Sequence, residues 1–248
     1  NIGLDHTDFL GNTVEEIAAT KAGIFKEGGN AVIYRSSESV EKVFEDVCAQ
    51  RNVRLKKADF EGLKLHSHGL EGQIFDCGER KNLELPLLGI HQLKNAAVVL
   101  GIIDSLVERG WNISEQNVRD GLKFARWPGR FDIVGHDPLF IIDGGHNPQC
   151  IEALVVNIQD YLKDRKVIAL TGVLADKDYA DMYKPVMPLV QEFVCITPPT
   201  PRKLDAEELA SHLQRVGAKA TACDSVETGV RTARELAGKD GVVLCFGS

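Results

Sequence analysis

The chain lacks the features of membrane, nucleic-acid-binding and disulfide-rich proteins. No run approaches the roughly 18 apolar residues of a membrane span, and the signal-peptide pattern of a basic segment before an apolar stretch is not visible. Its 29 Lys and Arg against 36 Asp and Glu give a net charge of −7, without the basic excess of sequence-independent nucleic-acid binders. The six cysteines show no CxxC spacing, which favours reduced thiols. We therefore expect a cytoplasmic protein that binds neither nucleic acid nor membrane.

Two nucleotide-binding signatures are also missing. Neither GxGxxG nor GxxxxGK[ST] occurs in the 248 residues, so we expect no dinucleotide fingerprint and no phosphate loop of the usual kind. The length is sufficient for one large or two small domains with a sizeable core. The first residues resemble the exit of a strand and residues 241–248 a buried strand, which predicts a fragment of a longer protein.

The hydrophobic pattern changes at residues 127–130 (WPGR), which we take as a domain boundary. Before it, helices are predicted over residues 13–26, 37–50, 91–109 and 114–124, with short glycine-punctuated strands over 53–88. Beyond it, apolar runs at 139–142, 167–172, 193–196, 220–222 and 242–246 alternate with helical stretches. That rhythm predicts an α/β fold whose parallel sheet is covered by helices on both faces. The predicted domains are 1–126 and 127–248.

Lys21 and His6 are the first candidate functional residues. Lys21 shares the i, i+3, i+4 stripe of Ile17, Ala18 and Ile24, so it either extends its charge to water or is a desolvated, neutral and reactive amine. His6 follows a predicted strand end, 15 residues before Lys21. A neutral imidazole beside an anionic group is an ordinary set of ligands for a divalent cation.

A strand, a glycine turn and a helix start follow one another at residues 140–148 (FIIDGGHNP). Ligands of open parallel sheets bind at the carboxyl ends of strands, near helix N-termini. Asp143 and His146 flank the turn and suit positioning or proton transfer. The alternative is a plain turn in which Asn147 caps the helix.

Polar residues open the helix predicted after Gly89, in residues 89–96 (GIHQLKNA). They either cap the helix or use side-chain amides, Asn95 among them, to bind the edge of a purine. The spacing alone leaves both interpretations open.

Taken together, these motifs and several others are similar to those of one enzyme family, and they come in family order over the whole chain. They are residues 2–7 (IGLDHT), 10–13 (LGNT), 17–18 (IA), 21–24 (KAGI), 89–96 (GIHQLKNA), 127–131 (WPGRF), 143–148 (DGGHNP), 172–178 (GVLADKD), 199–202 (PTPR) and 247–248 (GS). The chain resembles the folylpolyglutamate and dihydrofolate synthases, ATP-dependent amino-acid ligases of the Mur ligase superfamily. Residue 145 departs from the family, which more often has Ala where this chain has Gly.

The resemblance implies a role for each candidate residue. Lys21 is implied to be carbamylated and, with His6, to serve a magnesium (Mg2+) site, while His146 lies in the cleft for ATP and glutamate. Asn95, Arg130 and Asp143 are implied to contact ATP.

The resemblance also implies a place in the protein for each half of the chain. Residues 1–126 would be the C-terminal part of the central ATPase domain, without its phosphate loop, and residues 127–248 the Mur-type glutamate-ligase domain with a Rossmann-like sheet.

The implied reaction uses ATP and Mg2+ to join L-glutamate to folate or dihydropteroate through an acyl phosphate, in a monomeric enzyme. The chain by itself is expected to be inactive. Two alternatives stay open: a peptidoglycan-precursor Mur ligase, and a non-catalytic module that binds a nucleotide or a protein.

Overall fold

The computed structural model describes residues 2–3, 11–177 and 179–247, leaving aside the side chain of Asp181. This part of the chain divides into two compact units, Asn1–Ala125 and Arg126–Ser248, and each is described by itself. The roles assigned to the two sequence domains remain predictions.

The first unit opens with helix α1 (Val14–Lys21), which a 3-10 turn (Ala22–Ile24) extends. A capping box fixes its start: Thr13 Oγ1 accepts the Glu16 N–H, and the Glu16 carboxylate accepts the Thr13 N–H. The α-helix is shorter than the predicted segment 13–26, since its last turn tightens into 3-10 geometry.

Two small sheets follow α1. Strands β1 (Asn30–Ile33) and β2 (Arg54–Lys57) pair in parallel and are connected by helix α2 (Glu38–Gln50). Strands β3 (Leu63–Gly69), β4 (Gly72–Cys77) and β5 (Arg80–Leu85) form an antiparallel meander. The short strands predicted over residues 53–88 are therefore present, and the last three of them form hairpins.

Helix α3 (Ile90–Glu108) packs on this meander and is followed by α4 (Glu115–Lys123). By length and composition alone α3 could cross a membrane. However, Leu93 and Leu100 of α3 are buried in one cluster with Phe75 and Leu83 of the meander. A helix buried in a protein core can be as long and as apolar as a membrane span, so length and composition do not distinguish the two.

The second unit is built on a six-stranded sheet in the order β10-β9-β8-β11-β7-β6. The strands are β6 (Asp132–His136), β7 (Leu139–Asp143), β8 (Val167–Gly172), β9 (Glu192–Cys195), β10 (Ala220–Ala222) and β11 (Val242–Gly247). All neighbours pair in parallel except β6 and β7. The predicted α/β class is confirmed, with one antiparallel edge strand that the apolar pattern did not predict.

Helices cover both faces of this sheet. They are α5 (Pro148–Tyr161), α6 (Tyr179–Met182), α7 (Ala206–Arg215) and α8 (Val226–Ala237). Ala233 of α8 packs on one face, against a cluster that includes Leu170 and Val194. On the other face, the ring of Tyr183 lies against Phe193 and Phe246 at centroid distances of 5.8 and 5.9 Å. Loops lie at the carboxyl edge of the sheet, where β7 ends.

Candidate active site

The turn between β7 and α5 lies at this carboxyl edge. Asn147 caps α5, because its Oδ1 accepts the Cys150 N–H at 2.9 Å and Pro148 occupies the first turn. A Cβ on Gly145 would lie only 2.8 Å from Asp143 Oδ1. Glycine at this position therefore lets the backbone fold back closely onto the carboxylate.

The Asp143 carboxylate connects this turn to the segment 129–131. Its Oδ2 accepts the Phe131 N–H at 2.9 Å, and its Oδ1 accepts the Gly145 N–H at 2.8 Å. The Gly144 N–H donates to the Gly129 carbonyl at 2.8 Å. These three hydrogen bonds, which we call the Asp143 clasp, hold Arg130 beside the turn.

Phe131 has an unusual backbone conformation within the clasp. Its φ of 47° lies in the left-handed region, which a bulky residue rarely adopts. Two interactions fix it there: the bond to Asp143, and a buried ring that lies 5.9 Å from the Tyr161 ring. Backbone strain of this kind concentrates at functional sites.

The electrostatics of the clasp combine a half-buried acid with a nearby cation. Burial raises the pKa of the Asp143 carboxyl, and the two backbone donors and Arg130 oppose that shift. Arg130 is exposed, and its Nη1 would lie 3.5 Å from a Cβ on Gly144. Its guanidinium is therefore available to an anion from solvent.

His146 completes the cluster. Its Nδ1 lies 2.9 Å from the Gly144 carbonyl, which can only accept a hydrogen bond, so Nδ1 is the donor. In the neutral ring Nε2 is then the proton acceptor. The structure thus brings together three of the residues predicted from sequence, Arg130, Asp143 and His146.

Asn95 lies in the first unit, on the second turn of α3. It is exposed, and its Nδ2 donates to Gln92 Oε1 at 3.0 Å. The helix starts after Gly89, whose φ of 100° requires the freedom of glycine. The amides of Gln92 and Asn95 therefore stand at a helix N-terminus, as the sequence suggested.

Of the two alternatives left open for Lys21, the structure favours the one in which the side chain reaches water. Lys21 is exposed at the end of α1, and Ile24 of the same predicted stripe is 74% exposed. The buried side of the helix consists of Ile17, Ala18 and Ala22, so the stripe is narrower than its spacing indicates. The desolvation argument for a neutral amine therefore fails in this chain.

A metal site is not formed by the described part of the chain. His6 lies outside the described residues, and Lys21 is exposed. Within residues 2–3, 11–177 and 179–247, no group of three His, Cys, Asp or Glu side chains could hold a metal ion. These residues by themselves thus provide no Mg2+ site.

Comparisons with known proteins give a consistent result. The Mur ligase middle domain matches residues 1–103, and the Mur ligase glutamate ligase domain matches residues 129–248. The dihydrofolate synthase/folylpolyglutamate synthase of Escherichia coli K12 is 32% identical over 250 residues, which is 100% of this chain and 56% of that protein. The chain belongs to the folylpolyglutamate and dihydrofolate synthase family of Mur ligases.

Two solved structures show the same fold. The structure of Escherichia coli FolC in complex with DHPP and ADP has a TM-score of 0.83 at 31% identity, over 100% of this chain and 57% of that one. A bifunctional synthase with Mn, AMPPNP and L-glutamate bound has a TM-score of 0.75 at 35% identity, over 98% of this chain and 57% of that one. The chain thus spans a little more than half the length of these synthases.

Sequence reasoning missed two members of the clasp in this Mur ligase chain. Gly129 and Phe131 contribute backbone groups, and nothing in their side-chain types indicates a partner 12 or more residues away. The available signal was the tight group at residues 127–131 (WPGRF) shortly before the turn.

Proposed function

We propose that the full-length protein is an ATP-dependent ligase that adds L-glutamate to folate or dihydropteroate. The Asp143 clasp is the observation that carries this proposal, because it holds an exposed guanidinium and an imidazole acceptor at the carboxyl edge of the sheet. The ligands of the related structures, ADP, DHPP, AMPPNP, Mn and L-glutamate, support the same substrates and the use of a divalent metal. We further expect a monomeric cytoplasmic enzyme.

The reaction would proceed in two steps. The substrate carboxylate attacks the γ-phosphorus of ATP, forming an acyl phosphate and releasing ADP. The glutamate amine then attacks the acyl carbon, the amide bond forms, and inorganic phosphate leaves.

Each residue of the cluster would have a separate task in these steps. Arg130 binds phosphate oxygens and stabilises the charge that develops on them. His146 Nε2 accepts a proton from the glutamate ammonium group, which must become neutral before it can attack. Asp143 holds both groups in place through the clasp, and Asn95 contacts ATP from the first unit.

The functions of Lys21 and His6 are proposed from the family resemblance. A carbamate on Lys21 would supply an anionic oxygen near a magnesium ion that His6 helps to bind. Because Lys21 is exposed, the groups that would enclose its amine would have to come from outside the described residues.

The test is an assay of the full-length protein. We expect ADP release that requires both L-glutamate and either dihydropteroate or a reduced folate, with the product heavier by one glutamyl residue in mass spectrometry. Turnover of a muramoyl nucleotide but not of folates would instead favour the peptidoglycan branch.

The 248-residue chain alone serves as a second arm of the test. We expect it to show no ligase or ATPase activity, because it carries no phosphate-loop sequence. Steady turnover dependent on ATP and glutamate would refute this expectation.

A further inference from the structure

Gln73 of β4 makes an unusual pair of contacts beneath the start of α3. The residue is only 3% exposed. Its Nε2 donates to the Leu87 carbonyl at 2.6 Å and to the Gly89 carbonyl at 3.2 Å. Both carbonyls belong to the loop that leads from the meander into the helix that carries Asn95.

The contacts lie beyond the paired part of the meander. Gln73 pairs with Leu85, at the end of β5. The chain then passes Pro86, which has no N–H to extend the ladder. Beyond Pro86, the Gln73 amide holds the chain by donating to the carbonyls of Leu87 and Gly89. One side chain therefore sets the path of the loop.

The Gly89 carbonyl passes this constraint on to the helix. It also accepts the Gln92 N–H at 2.9 Å, the first turn of α3. The Gln92 side chain in turn accepts from Asn95 Nδ2 at 3.0 Å. Three consecutive contacts thus connect the buried Gln73 amide to the exposed Asn95 amide.

The other end of the Gln73 amide is incompletely satisfied. Within the described part of the chain, the buried Oε1 finds no hydrogen-bond partner. A buried acceptor without a partner costs free energy, and an apolar side chain of similar shape would avoid that cost. Packing alone therefore does not explain a glutamine here, whereas its two donated hydrogen bonds do.

We propose that Gln73 is a positioning residue for nucleotide use: it orients the first turns of α3 so that Asn95 meets the ATP. This inference rests on the proposed function, in which Asn95 contacts ATP. Gln73 itself touches no substrate.

The test compares the loss of the Gln73 hydrogen bonds, just before α3, with the loss of a side-chain hydrogen bond inside that helix. Gln73→Met keeps the length of the side chain and removes both donors. The control is Ser105→Ala, because Ser105 is 5% exposed and donates to the Gly101 carbonyl at 3.0 Å, far from the first turn. In the full-length enzyme we expect Gln73→Met to raise the KM for ATP about tenfold. This is the effect of losing one hydrogen bond between Asn95 and ATP. The KM for glutamate should change less than about twofold, and Ser105→Ala should leave both constants unchanged.

A second readout needs no activity. Amide hydrogen exchange in the 248-residue chain should accelerate at residues 92–95 in Gln73→Met and stay unchanged there in Ser105→Ala. If Gln73→Met does not fold, Gln73→Leu, which is also apolar and removes both donated hydrogen bonds, takes its place. If neither variant folds, the wild-type chain still provides a test, because its Gln73 side-chain amide protons should exchange slowly.

The outcomes separate the two proposals. An active wild type whose Gln73 variant behaves like Ser105→Ala, or rapid exchange of the Gln73 amide protons, would overturn the positioning role and leave the ligase function standing. A wild type without ligase activity would refute the proposed function, while exchange at residues 92–95 would still report whether Gln73 holds the helix start.

Discussion

Replacing Glu41 by Gln should destabilise the first unit in a pH-dependent way. Glu41 is 7% exposed on α2. Its carboxylate meets Lys57 Nζ at 2.7 Å, Arg35 Nε at 3.0 Å and the Ser36 N–H at 3.0 Å. The Lys57 ammonium contributes most to lowering the pKa of this carboxyl, from 4.5 to about 2.

The sign and size of the effect follow from this pKa. A shift from 4.5 to about 2 corresponds to about 3 kcal/mol of free energy of unfolding. Because the Arg35 and Lys57 side chains are 41% and 36% exposed, solvent screening should reduce it to about 1–2 kcal/mol. A lowered carboxyl pKa stabilises the folded state above pH 4.5, and this stability is lost as the pH falls towards 2.

The assay is urea unfolding of wild type, Glu41→Gln and the control Glu45→Gln at pH 7 and near pH 2. Glu45 meets the same Lys57 at 2.9 Å but is 44% exposed, so its loss should cost less than about 0.5 kcal/mol. We expect the cost of Glu41→Gln to shrink at low pH. Equal costs for the two variants, or a Glu41→Gln cost that stays the same near pH 2, would refute the reasoning.

Three further predictions concern the two units. Arg130→Ala in the full-length enzyme should lower kcat/KM for ATP by about 2–4 kcal/mol, or roughly 30- to 1,000-fold; a loss below about threefold, or one equal to that of the exposed neighbour Arg126→Ala, would remove Arg130 from the site. Lys21→Ala should change the unfolding free energy of this chain by less than about 0.5 kcal/mol. In the full-length enzyme it should abolish a bicarbonate-dependent activity, and a fully active variant would contradict the carbamate. Tyr183→Phe should cost about 1–1.5 kcal/mol in urea unfolding, because the buried hydroxyl loses its 2.8 Å hydrogen bond to Thr171; an unchanged midpoint would show that this bond contributes nothing.

Local sequence patterns predicted the elements whose signals are themselves local. The helix start at residue 13, the Asn147 cap and the alternation of strands and helices beyond Phe131 were all visible along the chain. Each depends on residues within a few positions of one another, so spacing alone carries the information.

Predictions that depended on burial or on backbone contacts were less successful. The spacing around Lys21 allowed an apolar stripe wider than the one that is buried. The strand β6 was missed because Val134 is 54% exposed and the strand is a half-covered edge. The Phe131 N–H donates to the Asp143 carboxylate, 12 residues further along the chain. Because the donor is a backbone group, the type of side chain at residue 131 does not reveal the contact.

The order of strands in the second unit has a consequence for synthesis of the protein. Strand β11 follows the other five strands of this sheet in sequence, yet it lies between β8 and β7 and pairs with both. Until it emerges from the ribosome, β7 and β8 each present an unpaired edge of apolar strand, and unpaired edges invite pairing with other chains. The sheet therefore cannot complete its pairing until β11 has been made, and the two edges wait for about 70 residues of translation after β8.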